Sequence, residues 1–225
     1  MLKNKLISEN IIQILLLINC ITLVIPNKFK AYGIVLFLIF SIFYSKKNSL
    51  KEENFQYKKF FFISVILFLF ILSLTYSLNF NNGFKRISTM ASIMVFPIIF
   101  ALLKKSSFKI SKNLQCKVFW GFILSNFVFI ILSFLYFWNQ EFNFSQTIIH
   151  YSNLINIRLG LYSIHPIYLS LYTGVSILIL IYIFKETERL KIKIISGVFT
   201  MFFCVILAIL MRKGPILFLL ISLSY

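Results

Sequence analysis

The stretch Arg158–Tyr172, RLGLYSIHPIYLSLY, sets an arginine, a histidine and a proline directly ahead of a long apolar run. Arg212 and Lys213 stand together between two further apolar runs separated by only a few residues, and Lys85 and Arg86 precede another. A guanidinium offers a planar fork of donors to phosphate oxygens and an ammonium offers a point charge, so the chemistry these residues suit is the binding of a phosphate or pyrophosphate. Arg212 is the sharpest case, because its tight connection holds the charge close to hydrocarbon, where a cation usually has a partner. The sequence contains no phosphate loop, nucleophile elbow or HExxH, and the Glu52-Glu53 and Glu186/Glu188 pairs lie among lysines and read as solvated charge. No cofactor is implied. A metal-dependent mechanism is disfavoured, since no cluster of acids accompanies these cations to hold a hard metal ion.

The elements that position these residues are membrane helices. Of the 225 residues 60% are hydrophobic and 28 are Phe, and the mean hydropathy is +0.90, well outside the range of soluble domains. Apolar runs fall at Ile11–Ile25, Ala31–Ser45, Phe60–Leu78, Ile87–Leu103, Val118–Trp138, Pro166–Phe184 and Ile194–Met211, with an eighth opening at Pro215. Most approach the roughly 20 residues that a helix needs to cross the hydrocarbon core. The expected fold is therefore an all-α integral membrane protein, a polytopic bundle of about seven transmembrane helices plus a truncated eighth. The first two runs are short and joined only by PNKFK, which also suits a shallow hairpin. The N-terminal stretch has the positive start and apolar middle of a signal peptide, but no small-x-small cleavage site follows, so it reads as an uncleaved first span.

Charge sets the orientation. Sorting the 23 Lys and Arg by alternating loops places 16 with the N-terminus and the loops 46–59, 104–117 and 185–193. The positive-inside rule makes that side, and the N-terminus, cytoplasmic. The remaining seven, Lys28, Lys30, Lys85, Arg86, Arg158, Arg212 and Lys213, fall outside, with His150 and His165 and a single acid, Glu141. Lysines near helix ends also snorkel to lipid phosphates with no catalytic role, and Lys28 and Lys30 suit that reading best. The net charge of +17 is dispersed in clusters between apolar runs and forms no face of a soluble domain, which argues against nucleic acid as a partner. Cys20, Cys116 and Cys204 lie far apart and read as small apolar fillers. Asn19 and Asn126 lie within apolar runs, where each either bridges two helices or faces a cavity.

Three segments, in this order, carry a resemblance to a known family. The run Leu72–Leu103 has Gly83, Lys85 and Arg86 in a short loop before a Phe96-Pro97 pair, His165–Tyr172 reads HPIYLSLY, and Leu207–Leu223 has Arg212 in a tight turn. Together they resemble the O-antigen ligase and O-antigen polymerase family of envelope glycan enzymes, in its Bacteroidetes form, over about two thirds of the chain. Met211 stands where that family usually has serine, and Lys213 is inserted before the glycine.

The resemblance implies a metal-independent inverting transfer of a glycan from an undecaprenyl-pyrophosphate carrier on the periplasmic face of the bacterial inner membrane. The acceptor is the lipid A core for a ligase or another repeat unit for a polymerase. It further implies that Arg212 first, then Arg158, Arg86 and Lys213, hold the pyrophosphate, and losing a positioned donor of this kind typically costs on the order of 100-fold in rate. His165 is given a positioning or helix-capping role. Family members are about twice this long and carry the catalytic histidine in their second half, so residues 1–225 are expected to be the N-terminal half of a membrane domain that ends inside a span, with the catalytic residue beyond Tyr225. The competing classes are a lipid-linked glycan transporter and a noncatalytic membrane subunit.

Overall fold

The computed structural model describes residues 2–24, 27–48, 98–103, 110–140 and 143–210, together with positions 72, 95, 96, 106 and 108. Among them all regular structure is helical: α1 (Leu2–Thr22), α2 (Asn27–Asn48), α3 (Lys112–Asn139), α4 (Phe144–Ile157), a single 3-10 turn (Gly160–Tyr162), α5 (Pro166–Glu186) and α6 (Leu190–Leu210). Three of these, α3, α5 and α6, are long and apolar enough to cross a membrane, and apolar segments of α1 and α2 at Glu9–Thr22 and Tyr32–Lys46 are shorter. The chain is thus a helical membrane protein. The expected spans at 60–78 and 87–103 lie wholly or largely outside the described residues, as does the one opening at Pro215.

Contacts divide the chain into two compact units, one of residues 1–19 with 30–115 and the other of residues 20–29 with 116–225. In the first, α1 and α2 are joined by Asn19, which is buried. Its Nδ2 donates to Leu15 O at 2.8 Å on its own helix and to Gly33 O at 3.2 Å on the other. The two helices meet at a residue without a side chain, which lets the carboxamide reach the neighbouring backbone.

In the second unit α5 and α6 form an antiparallel hairpin, and α3 packs against both. The turn between α5 and α6 is closed by Thr187, whose N–H donates to Ile183 O at 3.0 Å. Lipid supplies no hydrophobic drive for one apolar helix to leave it for another, so these helices associate through close packing and internal hydrogen bonds. The buried face of α5 accordingly mixes Leu169, Ile177 and Leu180 with Ser170, Thr173, Gly174 and Ser176. Each buried hydroxyl is satisfied locally: Ser170 donates to Pro166 O at 2.6 Å, Thr173 to Leu169 O at 2.8 Å and Ser176 to Tyr172 O at 2.9 Å. Larger groups fill the gaps between helices, with Phe127 of α3 wedged 5.0 Å from Phe199 and 4.9 Å from Phe202 of α6.

Asn126 of α3 is also an interhelical residue. Its Nδ2 donates to Ser176 Oγ of α5 at 3.1 Å, while its Oδ1, fully buried, has no partner among the described residues.

The helices α2, α3 and α5 run further than the apolar runs that mark them, and α1 and α6 start earlier than theirs. Lys112 and Lys117, assigned to a loop by hydropathy, lie on the first turns of α3; Lys185 lies on α5, Lys191 and Lys193 on α6, and Lys28 and Lys30 on α2. Caps and not polarity end a helix. Ser111 accepts the N–H of Leu114 at 3.1 Å through its hydroxyl, so α3 begins well before its apolar stretch.

Candidate functional site

The link between α3 and α5 was expected only as an outer connection, and its largest part is the helix α4. Thr147, Tyr151, Leu154 and Ile155 are its buried residues, at the i, i+4, i+7, i+8 spacing of one helical face. Tyr151 anchors it. The fully buried phenol lies 2.8 Å from Ser133 Oγ and donates to Ile130 O at 3.3 Å, both on α3. Its ring stands 5.9 Å from Phe134 and 6.3 Å from Phe137. Burial pushes the phenol pKa well above its ordinary value, with the Ser133 hydrogen bond acting weakly the other way.

Two of the predicted site residues are brought to the corner where α4 ends and α5 begins. Arg158 is the C-cap of α4, its N–H donating to Leu154 O at 2.9 Å, and its side chain is exposed. The chain then turns through Gly160, whose φ of +56° is the left-handed conformation that glycine adopts without penalty. Ile164 N–H returns to Ile155 O at 3.3 Å, folding the link back on the last turn of α4. His165 follows as the N-cap of α5, with Pro166 at the first helical position.

The capping geometry limits what His165 can do. Its Nδ1 accepts the N–H of Ile167 at 3.4 Å, a weak bond longer than the usual range of about 2.7–3.2 Å. In the neutral imidazole this leaves the proton on Nε2, so the capping tautomer presents a donor and not a base. The first amides of α5 are already occupied: Pro166 has none, Ile167 is bound by the imidazole, and those of Tyr168 and Leu169 reach His165 O at 2.9 and 3.4 Å. The helix start is therefore no open amide cradle, and anion binding here falls to the side chains of Arg158 and His165. His150 lies exposed on α4.

Arg86 and Lys85, and Arg212 with Lys213, lie outside the described residues. No three His, Cys, Asp or Glu side chains gather into a metal-binding group among the described residues. Cys116 and Cys204 are exposed and Cys20 half-buried, all three as free thiols.

The sequence matches no protein-family model, no curated protein and no solved structure. The functional reading rests on the residues themselves.

Proposed function

We propose that this chain is a multi-pass protein of the bacterial inner membrane that binds an undecaprenyl-pyrophosphate-linked glycan on its outer face, as the membrane part of an O-antigen ligase-like transferase. In this reading the protein has at least seven spans, with its N-terminus in the cytoplasm. The acceptor is a lipid A core, or a further repeat unit if the enzyme is a polymerase.

The observation that carries the reading is the uneven ends of the helices. In the second unit Lys117 lies near the start of α3, and Lys185, Arg189, Lys191 and Lys193 lie where α5 meets α6, the end that favours the cytoplasmic, anionic leaflet. The opposite end holds Arg158 and His165 at one corner. A guanidinium at the same corner as an imidazole that caps through Nδ1 and can donate from Nε2 suits a diphosphate, which takes charge from the arginine and a hydrogen bond from Nε2–H. The sorting of charges by loop assigns Lys28, Lys30, Lys85, Arg86, Arg212 and Lys213 to the same side.

The test is binding by the full chain in lipid nanodiscs, read with undecaprenyl pyrophosphate against undecaprenol of the same length. A preference for the pyrophosphate of at least tenfold, reduced by Arg158→Ala and by Arg212→Ala, is expected. Equal binding of the two lipids contradicts the reading.

A further inference from the structure

We infer that α4 is an interfacial helix, held in the headgroup–acyl boundary of the bilayer and contacting lipid with the surface it does not bury on the protein. The inference concerns lipid around α4 and stands whether or not the protein handles a glycan. Its first support is depth. The 28 residues of α3 make about 42 Å of helix against a hydrocarbon core of about 30 Å. The cationic start, Lys112–Lys117, accounts for about 9 Å of the excess, which puts the far edge of the core near Phe137. The partners of α4 on α3 are Ile130, Ser133, Phe134, Phe137 and Trp138, which run from one residue past that edge to about 10 Å below it. The helix lies beside the last turns of a spanning helix and does not stand beyond them in water.

The second support is the character of the exposed surface. Trp138, Phe144, Ile149, Ile157, Tyr162 and Tyr168 are all about half or more exposed, from 50% at Trp138 to 74% at Ile157. They come from the end of α3, from α4, from the 3-10 turn and from the start of α5. Amphipathic aromatics gathered at one end of spanning helices are the signature of a membrane interface. Within α4 the residues between these apolar groups include the uncharged Gln146, Asn153 and Asn156, and the helix has no Asp, Glu, Lys or Arg. They hydrogen-bond to headgroups and water without the cost of a desolvated charge. The occupant is thus lipid of either charge, in contrast to the lysine-rich end.

The test uses the full chain in phosphatidylcholine vesicles. Nitroxide labels are placed at Ile149→Cys and Ile157→Cys after Cys20, Cys116 and Cys204 are changed to serine, and collision with oxygen is compared with collision with a water-soluble nickel chelate. Both labels are expected about 5–10 Å below the lipid phosphates, at the same depth in anionic vesicles. Nickel accessibility equal to that of a label at Glu188→Cys overturns the inference, as does protection that vanishes when the protein is diluted in lipid, which signals a second copy as the occupant. Trp138 gives an independent reading without labels: in Trp120→Phe its emission is expected to be quenched more by lipids brominated near the headgroup than by lipids brominated at the chain ends. The reverse order, or no quenching by either, overturns it.

Discussion

At Tyr151 a single phenol fixes α4 on α3 through Ser133 and Ile130. Tyr151→Phe removes both polar contacts while keeping the ring, and should cost about 1 kcal/mol, read as a lower unfolding midpoint in mixed detergent. Its raised pKa adds a pH dependence with a definite sign. The neutral phenol is the form that the folded protein prefers, so this contribution is intact below about pH 10, the ordinary tyrosine value. It is lost as pH rises beyond that toward the raised folded value. Unfolding midpoints measured from pH 8 to 11 should fall at the alkaline end, and fall less in Tyr151→Phe; parallel curves would remove Tyr151 as the cause. Gly160 makes a second demand at residue scale. No neighbour would obstruct a Cβ there, but φ is +56°, so Gly160→Ala should cost about 1–2 kcal/mol through backbone strain alone. An unchanged midpoint would show that the turn has another conformation available.

At the scale of elements, Asn126 gives the less intuitive prediction. Its hydrogen bond to Ser176 is worth about 0.6 kcal/mol by the average for such pairs in membranes, while its buried Oδ1 is left unpaired at a cost of about 1–3 kcal/mol. Asn126→Leu should therefore hold or raise the stability of the α3–α5 pair, measured by detergent unfolding; a clear loss would mean that Oδ1 has a ligand in the membrane. Reading the sequence reached some elements and missed others for physical reasons. The α5 start was legible because His165-Pro166 carries its own stop and start chemistry. Long apolar runs showed α3, α5 and α6, but the starts of α3 and α6 and the end of α5 lie beyond those runs, since hydropathy reports the lipid-facing length and caps such as Ser111 set the helical one. The helix α4 was missed because it contains no long apolar run. Its signal was the spacing of Thr147, Tyr151, Leu154 and Ile155, which a search for spanning segments passes over. Whether Asn19 and Asn126 bridge helices depended on which small residue, Gly33 or Ser176, lay opposite, and that is decided by packing between distant parts of the chain.

For the whole molecule, charge and aromatic character divide the ends of the α3, α5 and α6 helices. One end is rich in lysine and suits an anionic leaflet; the other carries Arg158, His165 and a collar of tyrosine, tryptophan and isoleucine. Binding of a pyrophosphate lipid at the second end requires it to face outward. The sidedness of the two ends tests this most directly, by labelling single cysteines in spheroplasts with a membrane-impermeant maleimide, after Cys20, Cys116 and Cys204 are replaced by serine. Ser163→Cys, beside His165, should react in intact spheroplasts, and Glu188→Cys, in the turn between α5 and α6, only after the membrane is opened. Reaction of Glu188→Cys from outside with Ser163→Cys protected would invert the protein in the membrane, place Arg158 and His165 in the cytoplasm, and contradict the proposed function.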